Sequence, residues 1–230
     1  MMSNAGFRIY TKIRRPAREL VEEFRGLPVA NIADEMNRLF CVDARIKPLN
    51  HTPLLGTAFT VKAKVGDNLM FHKAIDMAQP GDVIVVDVQG DLTNSLTGEI
   101  MMRLAAKRGL AGVVVDGAVR DADALREMEF SVYAAGVTPK GPYKEGPGEI
   151  NVPVSCGGVV VFPGDILVGD GDGIVVISPK DAPAVLEKAK KKLAQEQATF
   201  KAIEEGTLDR SAYSDEAFIK KGCEIIDDYC

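Results

Sequence analysis

The chain of 230 residues contains no tryptophan and only two histidines. Its four cysteines are scattered without a CxxC motif or zinc-ligand spacing, which argues against a dedicated zinc site and favours a reduced, cytoplasmic protein. These cysteines are Cys41, Cys156, Cys223 and Cys230. No apolar run is long enough to span a bilayer, and the N-terminus lacks an apolar signal segment. The net charge of -5, without a basic cluster, argues against nucleic acid as a partner.

Hydrophobic residues make up 46% of the chain, which is enough for a full core, and we expect one domain over residues 1–230. Within it we expect a helical N-terminal segment (1–50), a core (56–177) and C-terminal helices (178–230). Helical and strand patterns alternate, which indicates an α/β fold. Helices are predicted over residues 16–24, 29–39, 69–78, 122–128 and from 100 to a stop at Gly109. Strands are predicted over residues 56–65, 82–88, 111–116 and 130–135.

The second half of the chain changes character. Residues 138–151 are rich in Gly and Pro and predict a long surface loop. Residues 152–177 predict short strands joined by turns, in a second and partly antiparallel sheet. Ser178 and Pro179 resemble the cap and first residue of a long amphipathic helix. A last helix is predicted over residues 214–228, and a helical tail of this length favours packing on another subunit in a closed homo-oligomer.

Two finer expectations concern the predicted helices. Asn31 is expected to cap the second helix. In the helix that begins near residue 100, the spacing places Ile100, Leu104 and Ala105 on one apolar face.

The stretch from Gly98 to Asp121 carries the strongest signs of a binding site. Gly98 and Glu99 open a predicted helix whose free N–H groups can bind an anion. The buried strand that follows ends in Arg120 and Asp121, a guanidinium beside a carboxylate. If the helix runs antiparallel to the strand, both loops meet at the sheet edge where α/β proteins bind ligands.

Arg120 and Asp121 have two interpretations on sequence alone. In the structural one, Asp121 caps the helix that begins at Ala122 and Arg120 makes a surface ion pair. In the functional one, Arg120 binds a carboxylate and Asp121 a divalent cation, which suits a substrate with a carboxylate beside a carbonyl. Glu99 is likewise either a favourable acid in the first helical turn or a carboxylate that holds a metal-bound water.

Other candidates are interpreted as structural. His72 lies among apolar helical residues and is expected to be a core or edge histidine rather than a ligand. The GDGDG motif at Gly169 predicts a tight hairpin, because it lacks the full calcium-loop pattern. Ser155 and Cys156 have no histidine nearby in sequence that would activate a nucleophile.

Four segments carry a family resemblance. They are PGDVIVVD (80–87), GLAGVVVDGAVRD (109–121), INVPVSCGGVVVFPGD (150–165) and GDGDGIVVI (169–177). Together they resemble the RraA-like family, and the similarity covers residues 56–206. That family includes 4-hydroxy-4-methyl-2-oxoglutarate aldolases, 4-carboxy-4-hydroxy-2-oxoadipate aldolases and regulators of ribonuclease E activity. The resemblance implies a three-layer β/β/α fold of the swivelling-domain type and a trimer or a hexamer.

The same resemblance implies a set of site residues. The aldolases carry an acidic residue, twenty intervening residues and then Arg-Asp, which places Glu99 where the family usually has Asp. Arg120 is then the ligand of the substrate carboxylate and Asp121 the direct metal ligand, with Glu99 acting through water. The backbone from Gly98 to Met101, including Ile100, would complete a pyruvate pocket. A looser part of the motif implies Glu196, acting through water from a neighbouring subunit.

These features give the hypothesis of a lyase dependent on Mg²⁺ or Mn²⁺. It would cleave a 4-hydroxy-2-oxo dicarboxylic or tricarboxylic acid to pyruvate and a second keto acid, with a metal-bound water as proton carrier and oxaloacetate decarboxylation as a side activity. A Schiff-base aldolase using Lys62, Lys64 or Lys140 is the chemical rival. A non-catalytic regulator that binds a ribonuclease or helicase is the rival from another class. For the loop over residues 138–151 we expect plain surface, with substrate selection by Lys140, Tyr143 and Lys144 as the alternative.

Overall fold

The computed structural model describes residues 4–229. The helices are α1 (Arg18–Glu22), α2 (Val29–Glu35), α3 (Leu69–Met77), α4 (Glu99–Lys107), α5 (Ala122–Arg126), α6 (Ala182–Glu204) and α7 (Asp215–Lys220). The strands are β1 (Phe7–Ile9), β2 (Lys47–Pro48), β3 (Leu54–Ala63), β4 (Asp82–Asp87), β5 (Gly112–Val119), β6 (Ser131–Val137), β7 (Gly148–Ile150), β8 (Val154–Cys156), β9 (Val159–Val161), β10 (Ile166–Gly169) and β11 (Ile174–Ile177). One compact unit extends up to Lys190, and a second begins at Lys191 and contains the end of α6, a 3-10 turn and α7.

Among residues 4–229, nine strands form one large sheet in the order β1-β7-β3-β4-β5-β6-β2, with β10 and β11 added along the first half of β3. The centre, from β3 to β6, is parallel, and α3, α4 and α5 make its crossover connections. β4 and β5 are rich in valine and buried on both faces, as expected of central parallel strands. The carboxyl ends of these strands therefore share one edge.

The two faces of the sheet are covered differently. One face packs against the helices through side chains such as Phe71 of α3, Met102 of α4 and Leu125 of α5. The opposite face packs against the small β8–β9 hairpin through Val154 and Val161. This hairpin, the large sheet and the helices form three layers, which confirms the predicted β/β/α arrangement.

The alternation of helices and strands in the first half confirms the α/β prediction. The central strand is longer than predicted, since β5 continues to Val119. A register shift between Val115 and Ala118 lets β5 resume pairing with β6 after the irregularity. Arg120 and Asp121 follow directly after Val119, at the carboxyl edge of the sheet.

The predicted second sheet is partly wrong. The β10–β11 hairpin exists, with a tight connection at the GDGDG motif, but β10 pairs with β3 and so belongs to the large sheet. The predicted loop over residues 138–151 also contains a strand, β7, which pairs with β3 and β1. Gly148 allows this approach, because a Cβ there would collide with the Lys62 carbonyl oxygen.

Three helical predictions need correction. Pro28 occupies the N-cap of α2, so Asn31 lies inside the helix and not at its start. Ser178 and Pro179 form a turn, with the Ala182 N–H bonded to the Ser178 carbonyl, and α6 begins only at Ala182. α7 ends at Lys220, eight residues before the predicted end, because the chain adopts positive φ at Gly222.

The predicted apolar face of α4 is only partly buried. Ala105 of that face is buried, together with Met101 and Met102, whereas Ile100 is 81% exposed and Leu104 45% exposed. The helix lies on the sheet through its methionines, which the spacing of Ile and Leu did not indicate.

Two remaining predictions concern the cysteines and the membrane. Cys41, Cys156 and Cys223 are free thiols, and Cys230 lies outside the described residues. Burial raises the pKa of the Cys156 thiol far above its usual range. No helix within residues 4–229 combines the length and apolarity needed to cross a bilayer.

Candidate active site

The two loops of the central stretch lie side by side at the carboxyl edge of the sheet. The Leu96 N–H donates to the carbonyl of Ala118 at 2.8 Å, and the Arg120 N–H donates to the carbonyl of Thr97 at 2.9 Å. The segment that enters α4 and the segment that leaves β5 are thus joined by backbone hydrogen bonds. This arrangement brings Gly98, Arg120 and Asp121 together.

Asp121 links the two loops through its side chain. Its Oδ2 accepts a hydrogen bond from the Glu99 N–H at 3.0 Å, at the positive end of α4. Asp121 occupies the N-cap position of α5, as the structural interpretation expects, but its side chain makes no capping hydrogen bond to that helix. Its backbone is left-handed, with φ 60° and ψ 38°, a conformation that non-glycine residues adopt at a cost and that often marks functional sites.

Gly98 is required by the closeness of Arg120 and Asp121. A Cβ at this position would collide with Asp121 Oδ2 and would lie 2.9 Å from Arg120 Cγ. No side chain fits there without moving the pair. The glycine therefore allows a guanidinium and a carboxylate to sit over the first turn of α4.

The Arg120 guanidinium is only partly engaged. Its Nε lies 3.7 Å from Asp121 Oδ2, and its side chain is 45% exposed. Within residues 4–229 its terminal nitrogens donate no hydrogen bond to protein. Nη1 lies 3.4 Å from where a Cβ on Gly141 would be, so the guanidinium rests against the 138–151 loop. The fork is available to an anion.

A cavity of about 260 Å³ lies between these elements. It is lined by Leu96, Thr97, Gly98, Ile100 and Met101 at the start of α4, by Arg120 and Asp121 after β5, by Asn68 and His72 at the start of α3, and by Gly141, Pro142 and Lys144 of the 138–151 loop. Five residues that the sequence placed in the pocket therefore meet in one cavity.

Two buried polar atoms belong to residues that line this cavity and lack partners. Asn68 Oδ1 and Thr97 Oγ1 make no hydrogen bond within residues 4–229, and each residue is 2% exposed. Asn68 is held by its amide nitrogen, which donates to the Leu96 carbonyl at 2.8 Å. Buried polar atoms are rarely left unpaired, so these two are exceptions among the described residues.

Glu99 contributes differently from the prediction. Its backbone N–H bonds Asp121, while its carboxylate accepts a hydrogen bond from Arg103 Nε at 2.7 Å and is absent from the cavity wall. Its action on a metal through water stays a prediction. Glu196 lies on α6 in the second unit, and its contribution to a neighbouring subunit also stays a prediction.

The residues of the cavity fit one kind of divalent cation site. Asp121 Oδ1 accepts no hydrogen bond from the described residues, so one carboxylate oxygen is available. Within residues 4–229 no three His, Cys, Asp or Glu side chains cluster as an all-protein cage would require. Mg²⁺ commonly binds through one or two carboxylates and several waters. Asp121 fits such a cation as its single direct protein ligand.

His72 and Lys144 both line the cavity. Desolvation lowers the pKa of the His72 imidazole, nearby Lys144 lowers it further, and Asp76 partly opposes them. The sequence named Lys144 only in the alternative of substrate selection by the loop, and it gave His72 as a core or edge histidine rather than a ligand. One signal was available for His72: α3 follows a strand, so its first turn lies at the carboxyl edge.

Hydrogen bonds hold the loop that carries Lys144 at both ends of its cavity-lining segment. Asp67 Oδ2 accepts hydrogen bonds from the N–H groups of Glu145 at 2.6 Å and Gly146 at 2.9 Å. At the other end, the Asn94 side chain donates to the Gly141 carbonyl at 2.6 Å. These bonds hold residues 141–144 against α3 and the entry to α4.

The fold and this cavity define an α/β protein with a cavity lined by charged and polar side chains at the carboxyl edge of its sheet. The chain belongs to the RraA-like family, since the family model described as Aldolase/RraA matches residues 29–176.

Comparisons with individual proteins agree with this assignment. A Halalkalibacterium halodurans protein, provisionally named a 4-hydroxy-4-methyl-2-oxoglutarate aldolase, is 42% identical over 85% of this chain and 93% of its own length. An uncharacterized protein from Pseudomonas syringae pv. tomato has a similar structure, with a TM-score of 0.77 and 26% identity over 86% of this chain and 93% of that one. The RNA-processing inhibitor RraA of Thermus thermophilus gives a TM-score of 0.61 and 34% identity over 65% of this chain and 92% of that one. The relatives named as aldolases support an aldolase interpretation.

Proposed function

We propose that this protein is a divalent-metal-dependent aldolase, which cleaves a 4-hydroxy-2-oxo acid to pyruvate and a second keto acid and decarboxylates oxaloacetate as a side activity. The observation that carries the proposal is the Arg120–Asp121 pair over the first turn of α4, in a cavity with unpartnered polar atoms. The name of the Halalkalibacterium halodurans relative supports the same reaction class.

The 2-oxo acid end of the substrate would bind at the start of α4. The planar fork of Arg120 pairs with the carboxylate through parallel N–H groups. The N–H groups of Ile100 and Met101 lie in the first turn of α4 and have no acceptor within the helix, so they are available to the same carboxylate. The positive end of the helix adds to this attraction.

Asp121 would hold Mg²⁺ or Mn²⁺, with water and the predicted Glu99 and Glu196 as further supports. When bound, the cation would supply Lewis acidity at the 2-oxo group and positive charge for the enolate.

Cleavage of the bond between C3 and C4 leaves its electron pair on the pyruvate fragment as an enolate, while the C4 hydroxyl gives its proton to water and becomes the carbonyl of the second keto acid. Protonation of the enolate at C3 then yields pyruvate. The first turn of α4 is joined to Asp121 before the reaction, and the Arg120 guanidinium lies beside Asp121, so positive charge is near the place where negative charge develops. Loss of CO₂ from oxaloacetate gives the same enolate without a C4 hydroxyl proton to remove. Oxaloacetate therefore tests the carboxylate site separately from proton transfer at C4.

Pyruvate release, coupled to lactate dehydrogenase, tests the proposal. We expect turnover of 4-hydroxy-4-methyl-2-oxoglutarate and oxaloacetate with Mg²⁺, loss of turnover with EDTA, and loss in Arg120→Ala. Arg126→Ala is the matched control, because Arg126 pairs with Asp123 on α5 away from the cavity wall. A protein-free reaction with Mg²⁺ corrects for the uncatalysed decarboxylation. Absence of turnover above that reaction on both compounds would refute the lyase.

Two alternative functions can each be distinguished from the metal-dependent aldolase by a separate experiment. A Schiff-base aldolase would be trapped on pyruvate by borohydride; Lys62, Lys64 and Lys140 are absent from the cavity wall, but Lys144 lines it, so the trapping experiment decides. A non-catalytic regulator is the second candidate, which the likeness to the Thermus thermophilus RNA-processing inhibitor favours. For a regulator, Arg120→Ala would leave binding to a ribonuclease or helicase unchanged and no pyruvate would form.

A further inference from the structure

Asp67 is a buried carboxylate that lies next to the cavity without lining it. It is 2% exposed and directly precedes Asn68, which is part of the cavity wall. Within residues 4–229 its carboxylate accepts hydrogen bonds from backbone N–H groups, and no arginine or lysine forms an ion pair with it. A buried charge without a cation is costly unless hydrogen bonds compensate it, so Asp67 depends on these N–H groups and holds them in turn.

This carboxylate joins two walls of the cavity that are distant in sequence. Oδ1 accepts from the N–H of Leu69 in the first turn of α3, at 2.9 Å. Oδ2 accepts from the N–H groups of Glu145 at 2.6 Å and Gly146 at 2.9 Å, in the second half of the 138–151 loop. His72 of α3 and Lys144 of the loop both line the cavity, so the carboxylate helps to set the spacing of the two walls.

Backbone hydrogen bonds hold the preceding part of the loop independently of the Asp67 side chain. The Tyr143 N–H donates to the Gly66 carbonyl at 2.8 Å, and the Tyr143 carbonyl accepts from the Asn68 N–H at 3.0 Å. Lys144 therefore lies between a backbone anchor at Tyr143 and the carboxylate anchor directly after it. Loss of the carboxylate charge should loosen the segment after Tyr143 and leave the backbone anchor and α3 in place.

We propose that Asp67 is a positioning residue for the aldolase reaction, which fixes residues 144–146 against the first turn of α3 so that the cavity has its final shape before the substrate binds. This inference rests on the proposed aldolase function. Asp67 acts through the loop and touches no substrate. Its charge is the essential property, because an asparagine in its place turns one acceptor oxygen into an NH₂ donor that faces an N–H group.

The expected effect follows from the fraction of molecules whose loop is in place. A ligand that binds only one conformation has an apparent dissociation constant equal to the intrinsic one divided by the populated fraction. Loss of hydrogen bonds to a charged acceptor lowers that fraction, whereas the bound complex still contains the ordered loop. We therefore expect the effect in KM rather than in kcat.

Steady-state kinetics of Asp67→Asn test the proposal. With 4-hydroxy-4-methyl-2-oxoglutarate and Mg²⁺, we expect KM to rise about three- to tenfold and kcat to change less than about twofold. Asp170→Asn is the matched control, because Asp170 also accepts one N–H from two residues later, in Asp172, and one from a distant helix start, Val29, but is absent from this cavity wall. An unchanged KM in Asp67→Asn, or an equal rise in Asp170→Asn, would overturn the proposal.

Two measurements on the substrate-free protein do not depend on turnover. Amide hydrogen exchange over residues 143–147 should become about 10- to 100-fold faster in Asp67→Asn, while exchange in β4 and β5 stays unchanged. The His72 imidazole, one of only two in the chain, can be followed by NMR, and its pKa should rise toward the ordinary value as Lys144 and the loop move away. Loss of a nearby negative charge would by itself lower that pKa, so a rise reports the movement of the loop.

A second variant tests the contact from the loop side with Asp67 unchanged, and it decides the question if Asp67→Asn does not fold. Glu145→Pro removes the N–H that lies 2.6 Å from Oδ2, whereas Glu145→Ala, at the same exposed position, retains it. We expect faster exchange and a higher KM in Glu145→Pro and neither in Glu145→Ala.

The outcomes separate this proposal from the proposed function. Faster exchange and a raised His72 pKa without any turnover in the unchanged protein would leave the role of Asp67 in shaping the cavity standing and refute the aldolase. Turnover with KM, exchange and the His72 pKa all unchanged in Asp67→Asn and Glu145→Pro would refute the role of Asp67 alone.

Discussion

Two polar clusters lie at the carboxyl edge of the same sheet, and they use the same residue types. The open cluster consists of Arg120 and Asp121, after β5 and over the start of α4. The closed cluster consists of Asp116 within β5, Asp87 at the end of β4, and Arg45. Each cluster places arginine beside aspartate, but among the described residues only the first leaves a carboxylate oxygen, Asp121 Oδ1, without a protein donor.

In the closed cluster every carboxylate oxygen accepts a hydrogen bond. Asp116 Oδ1 accepts from Arg45 and its Oδ2 from the Gly157 N–H at 2.8 Å. Asp87 accepts from the N–H groups of Gln89 and Ser155, at 2.9 and 3.2 Å. A cavity of about 410 Å³ lies beside this cluster too, so volume does not distinguish the two. The two clusters differ in how many of their carboxylate oxygens accept hydrogen bonds from the protein. Buried carboxylates with both oxygens paired hold the layers together, whereas partly paired carboxylates remain able to bind a ligand.

The largest expected effect comes from removing the charge of Asp121. Asn tolerates the left-handed backbone at this position and can still accept from the Glu99 N–H, so Asp121→Asn should fold normally. We expect kcat/KM for pyruvate release to fall at least about 10²–10³-fold. Thermal unfolding should change by only a few degrees. Unchanged turnover would show that the open cluster is structural like the closed one.

The matched change in the closed cluster is Asp116→Asn, which should lower stability and leave turnover per folded molecule unchanged. Asp116 is 3% exposed, and losing its charge leaves Arg45 without its partner at the β8–β9 layer. We expect the free energy of unfolding to fall by about 2–3 kcal/mol, with turnover per folded molecule retained. Urea unfolding and active-site-normalised kinetics measure the two quantities. A loss of turnover at unchanged stability would contradict the division between the clusters.

The fold was largely predictable because its signals are local. Valine runs, helical spacing and Gly109 defined the αβ unit of the central stretch, and Arg120 and Asp121 followed from it. The buried face of α4 was not predictable in the same way. Both Ile100 and Met101 suit an apolar face, and only the position of the sheet decides that Met101 is buried.

The cavity residues that the sequence placed together come from one contiguous segment, and the more distant cavity residues were not placed with them. Gly98, Arg120 and Asp121 belong to one αβ unit. Lys144 reaches the cavity because Asp67 bonds the backbone 78 residues later, and no local pattern encodes such a pairing. The contact is set by the tertiary fold, so composition alone suggested surface for that loop.

Gly98→Ala tests how closely the open cluster is packed. The new Cβ would collide with Asp121 Oδ2 and crowd Arg120, so the pair must separate. We expect about 1–2 kcal/mol of destabilisation and about a tenfold loss of kcat/KM. Gly171→Ala is the control, because a Cβ there meets no atom within 4 Å. Equal effects of the two substitutions would mean that the close approach at Gly98 is not needed.

The smallest expected effect is the pH dependence of stability that comes from His72, which lines the same cavity as the open cluster. Desolvation and Lys144 lower the pKa of His72, and Asp76 opposes them, while Arg120 and Asp121 line the same cavity. The unfolded chain therefore binds a proton more readily, and stability should fall as pH drops through the usual histidine pKa near 6.5 toward the lowered value. Because the ring is partly hydrated, we expect less than about 1 kcal/mol, measured as the difference between pH 7.5 and pH 5 for the unchanged protein and His72→Gln. Lys144→Met removes one cause of the lowered pKa and should reduce this loss. A loss of stability between pH 7.5 and pH 5 that is identical in the unchanged protein, His72→Gln and Lys144→Met would show that His72 does not respond to the charges of this cavity.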